Sequence, residues 1–388
     1  MKSNYEPLGK HIQLVDYRNS EEVTSTVLGI SIDKEFMPSV ANVIGTDLSR
    51  YKLISKGLFA CNPMHVGRDE RLPIALYEKD SPAIVSPAYF MFEIIDRDIL
   101  NEEYLMMWFR RPEFDRECWF MTDGSVRGGI TWDDLCRIKL PVPSYARQCE
   151  IVESYRTITD RIALKRAEND NLEATAMSLY KSWFIDYEPF DLDDEGLPVG
   201  WYKAKLNDKL STSTQSINPQ KMDCDFVWHY SIPAYDNEKL PSKDIPSSIL
   251  SNKYIVPPNA ILVSKLNPDT KRIWRSVPCF ENAICSTEFI VFSAKEPTHR
   301  AFYYLLFNTG SFIDFLVSNA TGSTNSRMRV KPASSLDFEF ICPPNEVIDS
   351  FCRKVEPMLQ KIEENHLEIR KLKELIPIAV AKMMSSSR

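Results

Sequence analysis

Residues 83–92 and 283–292 of this chain read as one segment written twice. Ala83-Ile84-Val85-Ser86-Pro87-Ala88-Tyr89-Phe90-Met91-Phe92 lies over Ala283-Ile284-Cys285-Ser286-Thr287-Glu288-Phe289-Ile290-Val291-Phe292. Both carry the aromatic and β-branched weight of buried strands. An aromatic helical stretch follows each, Tyr104 to Phe109 and Tyr303 to Phe307. Next comes a small polar loop, Thr122-Asp123-Gly124-Ser125 in one half and Ala320-Thr321-Gly322-Ser323 in the other. A strand ending in proline closes each half, Ile138 to Pro143 and Phe338 to Pro343, and Leu8 and Ile12 at the first opening match Leu206 and Leu210 at the second. One shift of about 200 residues relates every pair. Two copies of a single supersecondary unit are therefore expected.

After each closing proline the apolar period changes from 2 to 3.5. The first seam is Ile151, Tyr155, Ile158, Ile162, Lys165, Asn169, Leu172, Ala176, Leu179 and Trp183. The second is Phe351, Val355, Met358, Ile362, Asn365, Ile369, Leu372, Ile376, Ala379 and Met383, each 200 residues on. Alternating steps of four and three make a coiled-coil seam, and some 35 residues of helix span roughly 50 Å. Identical seams on two copies of one unit can bury each other symmetrically, which predicts antiparallel helices about a pseudo-two-fold axis. In that register Asn169 meets Asn365 and Ile162 meets Leu372, and Ile158, Leu172, Ile362 and Ile369 complete the pairing. A buried Asn sets register at a cost in stability. Pro357 inside the second pattern is expected to kink that helix or to mark its start.

The acidic stretch from Asp186 to Gly200 contains Pro189, Gly196, Pro198 and Gly200, which is linker chemistry. The reading is an α+β chain: a globular domain over 1–145, a long helix over 146–186, a linker over 187–200, a second globular domain over 201–345 and a second long helix over 346–388. The chain's 388 residues exceed what one core organises. Nothing resembles a signal peptide or a membrane span. Nine scattered cysteines without a C-x-x-C pair suit reduced thiols and a cytoplasmic setting. The net charge of −7 divides unevenly: residues 1–146 carry −5, 147–200 carry −6, 201–345 carry +3 and 346–388 carry +1. Such a balance permits a basic face and predicts modest non-specific affinity for nucleic acid.

Two stretches carry a family likeness: Gly196-Leu197-Pro198-Val199-Gly200-Trp201, and Gly128-Gly129-Ile130-Thr131-Trp132-Asp133-Asp134-Leu135 continuing to Pro143 and Gln148. They resemble the signatures that open the second half, and close each half, of type I restriction–modification specificity subunits. Departures are Ser144 after Pro143, Arg147 where the family usually has Glu, and Val347-Ile348 in the second half. The resemblance implies two target-recognition domains at opposite ends of a two-helix ridge, each reading one part of a split, asymmetric double-stranded DNA target. It also implies docking of two methyltransferase subunits, which carry S-adenosylmethionine, and of restriction subunits that use ATP and Mg. No cofactor or metal is expected on this chain, and no membrane partner. The alternative is a duplicated protein-binding scaffold whose helices serve as a dimerisation stalk.

The residues themselves argue against chemistry. There is no G-x-x-x-x-G-K-[ST] phosphate loop. Asn62-Pro63-Met64 and Asn267-Pro268-Asp269 lack the second proline and the aromatic that would stack a flipped adenine. The five histidines, His65 and His229 among them, lack ligand spacing. The candidates for DNA contact are polar loops. In the second half these are Ser323, Thr324, Asn325, Arg327 and Arg329, with Lys265, Asn267, Lys271, Arg272, Trp274 and Arg275 as a second cluster. The first half offers Ser125 and Arg127, with Asn62, His65, Arg68 and Arg71. Arg can grip guanine O6 and N7 bidentately and Asn can do so for adenine N6 and N7, while most contacts should fall on phosphates.

Overall fold

The structure is a computed structural model that describes residues 5–39, 45–64, 66–122, 128–277, 280–322 and 328–385, side chains of 382–385 excepted. The chain divides into two units, residues 1–161 with 372–388, and residues 162–371.

Unit 1 contains strands β1 (Tyr5–Pro7), β2 (Ile12–Leu14), β3 (Val27–Ile30), β4 (Phe36–Pro38), β5 (Lys52–Ile54), β6 (Phe59–Cys61), β7 (Ile74–Leu76), β8 (Ala83–Val85), β9 (Phe90–Ile94) and β10 (Lys139–Pro141). Its helices are α1 (Val66–Asp69), α2 (Glu102–Phe109), α3 (Pro112–Phe120), α4 (Trp132–Arg137) and the start of α5 (Tyr145–Phe184). Unit 2 contains β11 (Tyr202–Lys205), β12 (Leu210–Ser213), β13 (Ser216–Ile217), β14 (Val227–Tyr230), β15 (Ser242–Asp244), β16 (Lys253–Ile255), β17 (Ile261–Ser264), β18 (Ile273–Arg275), β19 (Ala283–Cys285), β20 (Phe289–Ala294) and β21 (Glu339–Cys342). Its helices are α6 (Leu206–Lys209), α7 (Ile232–Glu238), α8 (Arg300–Phe307), α9 (Gly310–Ser318), α10 (Pro332–Ser335) and most of α11 (Asn345–Ser385).

The repeat is visible as topology. Unit 1 forms sheets ordered β2-β9-β6-β7, β4-β3-β8-β5 and β1-β10; unit 2 forms β12-β20-β17-β18, β13-β16-β19-β14-β15 and β11-β21. A parallel pair sits at the same place in each, β3 with β8 and β14 with β19, among otherwise antiparallel ladders. Unit 2 adds β13 at the edge of its second sheet.

The duplicated segment is not one strand, as its composition suggests, but two strands in different sheets. Ser86 and Ser286 break it. The backbone N–H of Tyr89 and of Phe289 donates to the carbonyl of that serine, at 3.1 and 3.0 Å. The serine hydroxyl accepts from the N–H of Ala88 or Glu288 at 3.2 and 3.3 Å. A serine hydroxyl that bonds backbone two residues on turns the chain, so each copy crosses from one sheet to the next.

Side-chain caps start two of the helices that follow. Asn101 accepts from the N–H groups of Glu103 and Tyr104 to start α2, and Thr309 accepts from that of Phe312 to start α9. Between them Tyr104, Leu105, Trp108 and Phe109 enter a core with Phe59, Phe92 and Phe114. In unit 2 Phe302, Tyr303, Leu305 and Phe307 join Phe292, Phe312 and Phe340.

Each long helix also contributes to a globular core. Ile151 and Val152 of α5, with Val380 of α11, belong to the core of unit 1. Ala176, Tyr180 and Phe184 of α5, with Ile348, Phe351, Val355 and Leu359 of α11, belong to that of unit 2. Within unit 2 the two helices run in opposite directions. Tyr180 meets Phe351 edge to face at 5.9 Å between ring centroids, while Lys165 reaches Glu368 at 3.4 Å. The α11 helix continues without interruption through Pro357, which therefore does not mark its start. Packing of Phe351, Val355 and Leu359 outweighs the one backbone hydrogen bond that a proline removes.

Asn169 and Asn365 meet in this seam, Asn365 Nδ2 donating to Asn169 Oδ1 at 2.8 Å. Asn365 Nδ2 also donates to Glu168 at 3.0 Å, and Lys165 Nζ donates to Asn365 Oδ1 at 3.1 Å. The polar seam positions thus satisfy one another, as buried polar groups must.

Among the described residues no helix is long and apolar enough to cross a membrane, and no group of three His, Cys, Asp or Glu could hold a metal.

Candidate nucleic-acid interface

In unit 2, three segments far apart in sequence are tied by main-chain bonds. The N–H of Lys265 donates to the carbonyl of Glu288 at 2.9 Å, that of Asn267 to Met328 at 2.8 Å, and that of Val330 to Lys265 at 3.0 Å. Arg329 and Thr321 exchange two further bonds, both 2.9 Å. Arg329 of the first cluster is therefore held beside Lys265 and Asn267 of the second. Asn267 adopts φ +47°, a left-handed turn that asparagine tolerates.

Unit 1 repeats the arrangement. The N–H of Ile130 donates to the carbonyl of Pro63 at 3.1 Å, the counterpart of Val330 on Lys265, and the N–H of Gly67 donates to Gly128 at 3.0 Å. A Cβ on Gly129 would stand 2.8 Å from the Pro63 carbonyl oxygen, so only glycine permits this approach. Asn62, half-buried, uses its Oδ1 to accept from the N–H of Met64 at 3.2 Å.

Most of the arginines singled out are held by carboxylates. Arg329 binds Glu288 through Nε (3.0 Å to Oε2) and Nη2 (3.1 Å to Oε1). Arg272 binds Asp236 through Nε and Nη2 at 2.6 and 2.9 Å, and Arg68 binds Asp69 in the same way at 2.6 and 2.9 Å. Arg71 reaches Asp33 at 3.2 Å. Lys271 donates to the Asn308 carbonyl at 3.2 Å, and desolvation of its ammonium at that contact holds it below the usual lysine range. Half-buried Lys265 takes part through its backbone.

Arg275 corrects the sequence reading. It is 6% exposed, and its guanidinium pairs with Glu356 at 2.5 Å and Glu363 at 3.1 Å. It closes β18, a strand whose three side chains are all buried, and its own packs against α11, so it clamps the helix and does not face DNA. Trp274 is also buried, against Tyr230 and Tyr235, with Nε1 donating to the Lys239 carbonyl. Ser125, Arg127, Ser323, Thr324, Asn325, Arg327 and His65 lie outside the described residues.

Basic and amide residues stand out in the sequence, whereas the carboxylates that hold them, Glu288 and Asp236 above all, do not. The available signal was the Ser286-Thr287-Glu288 turn, which places Glu288 beside the basic loops.

No family model matches the chain. It is 23% identical over 317 residues to the type I restriction enzyme MjaIX specificity subunit of Methanocaldococcus jannaschii, covering 75% of this chain and 70% of that protein. It is 21% identical over an alignment of 424 positions to the type I restriction enzyme HindI specificity subunit of Haemophilus influenzae, covering 89% and 90%. Among solved structures, the type I restriction–modification system S subunit from M. genitalium matches with a TM-score of 0.57 at 12% identity, over 98% of this chain and 95% of that one. At that identity the likeness is one of fold.

Proposed function

We propose that this chain, whose curated homologues are type I restriction enzyme specificity subunits, is the DNA-recognition subunit of such a system. Specificity subunits of type I systems are non-catalytic. The observation that carries the reading is the convergence, in each of two like-folded units, of two polar loops held together by main-chain bonds. A polar surface with arginines and an asparagine is suited to phosphates and base edges.

In this reading residues 1–145 and 201–345 are target-recognition domains, each reading one part of a split, asymmetric target. Helices 146–186 and 346–388 form an antiparallel ridge that sets the spacing, with Ile162 opposite Leu372, and 187–200 link the halves. Asn62, Arg68, Arg71, Lys265, Asn267, Lys271, Arg272 and Arg329 contribute to the DNA surface, as do Ser125, Arg127, Ser323, Thr324, Asn325 and Arg327. Two methyltransferase subunits bring S-adenosylmethionine, and restriction subunits bring ATP and Mg. The complex works in the cytoplasm.

The test is a domain exchange. Residues 201–345 are replaced by the matching segment of a related subunit, the chimera is coexpressed with its methyltransferase, and adenine methylation is mapped across the host genome. The expected product is a hybrid motif, with one half new, one half unchanged and the gap preserved. A folded, assembled chimera that methylates the old motif, or changes both halves, would overturn the reading.

A further inference from the structure

The Arg329–Glu288 pair has a geometry that a plain surface ion pair does not need. Glu288 engages the side edge of the guanidinium, Nε and Nη2, and makes no bond to Nη1. A guanidinium carries five N–H donors in a fixed plane, so the end edge, Nη1 with the second N–H of Nη2, keeps two parallel donors. That spacing matches guanine O6 and N7. Adenine presents an N6 donor where guanine has O6, so the same edge disfavours it.

Both partners are fixed from behind. Arg329 exchanges backbone bonds with Thr321, and Glu288 sits on the Ser286 turn with its carbonyl accepting from Lys265. The Arg329 side chain is 45% exposed and that of Glu288 27%. Arg272 shares the side-edge geometry but is only 15% exposed. Arg68 pairs with the adjacent residue on a helix of a single turn. Arg329 is thus the buttressed arginine best placed at the convergence of the loops.

We infer that Arg329, oriented by Glu288, reads one guanine in the part of the target facing unit 2. This rests on the DNA-recognition reading above and deepens it. Glu288 is the positioning residue. Its carboxylate orders the arginine before DNA arrives, which spares rotamer entropy on binding, and it repels phosphate, which favours a base edge over the backbone. In unit 1 the equivalent positions are Ala88 and Gly129, so this device belongs to one half only.

The experiment maps adenine methylation in a methylation-free host that coexpresses the full chain with its methyltransferase, comparing wild type with Arg329→Lys, Arg329→Ala and Glu288→Gln. Arg329→Lys keeps the charge and the ion pair but loses the fork. The expected result is a motif with a G·C pair in one half that becomes degenerate at that position alone. Discrimination should fall roughly ten- to hundredfold for both Arg329 variants and less for Glu288→Gln. Melting temperatures of the purified complexes establish that the variants are folded, and Arg329→Lys carries the test should Arg329→Ala not fold. Unchanged stringency in folded Arg329→Lys would overturn the inference. So would an even loss of methylation at all sites, because that marks a phosphate contact. A chain that directs no methylation motif at all would overturn the DNA-recognition reading itself.

Discussion

The two units attach their long helix to the globular part with the same kind of clamp, but with the charges exchanged. In unit 1 the helix supplies the cation: Arg156 of α5 binds Glu103 at the start of α2, with Nε at 2.6 Å from Oε2. In unit 2 the helix supplies the anions. Glu356, which stands 200 residues after Arg156, and Glu363 bind Arg275 of β18, and Glu363 lies 3.8 Å from Arg300 at the start of α8. The settings differ as much as the signs. The side chains of Arg156 and Glu103 are 58% and 31% exposed, whereas those of Arg275 and Arg300 are each 5% exposed. Burial and the neighbouring Arg275 push Arg300 down to about 10, and burial pushes Glu363 up. A neighbouring pair of positions shows the same divergence. Gln148, fully buried, donates to the carbonyls of Ile99 and Pro143 and accepts from the N–H of Asn101, while its counterpart Ile348 is apolar core. Duplicated topology therefore does not preserve duplicated chemistry. A globular part docked on the wrong helix would set Glu103 against Glu356, or Arg275 against Arg156, and like charges at such a contact are unfavourable.

The contrast can be broken most directly at Glu363. Glu363→Ala leaves Arg275 and Arg300 short of a buried partner and should cost about 3–5 kcal/mol. Arg156→Ala, on an exposed pair, should cost no more than about 1 kcal/mol. Urea unfolding of the full chain checks both, and equal losses would remove the distinction. A smaller effect is expected at the hydrogen-bond hub. Gln148→Leu strands one N–H and two carbonyls and should cost roughly 1–3 kcal/mol, read as a lower urea midpoint. The seam asparagines should respond in the opposite direction when changed together. Asn169→Leu with Asn365→Leu should raise the stability by about 1 kcal/mol or less, read as a higher urea midpoint, while Asn365→Leu alone lowers it by stranding Asn169.

The smallest effect is a pH dependence set by two histidines of unit 2. Burial lowers His229, against the opposing pull of Asp244 and with a further push from Lys253. Burial also lowers His366, where a backbone hydrogen bond at Lys239 and the Glu173 charge oppose it and the Lys239 and Arg370 charges reinforce it. A histidine whose folded value is depressed takes up its proton first in the unfolded chain. The stability it confers is then full above the ordinary histidine value and falls as pH drops through the folded one. The melting temperature should decline from about pH 6.5 downwards, and His229→Asn with His366→Gln should flatten that slope. An unchanged slope would leave these histidines without a part in it.

Much of this organisation was legible in the residues because it depends on local pattern. The repeat predicted the matched strands and helices, and the 3.5 period predicted two long helices whose seam brings Asn169 to Asn365. The polar loops could be picked out, but which of their side chains remain available could not. Arg275 and Arg329 look alike in sequence. One is buried against α11 and the other exposed, because β18 is enclosed on both faces, with all three of its side chains buried, and no linear pattern tells which neighbour waits there. Ser86 and Ser286 similarly hid a change of sheet inside what reads as a continuous strand.

By itself, then, the sequence determined the duplicated plan, the period of the helices and the residue types available in each loop, since periodicity and turn chemistry act over a few residues. Only the tertiary structure decided which loops meet, which arginines are clamps, and that Glu288 buttresses Arg329 across 41 residues of chain. Those outcomes depend on burial and on main-chain bonds between distant segments, and both exist only once the chain has closed on itself.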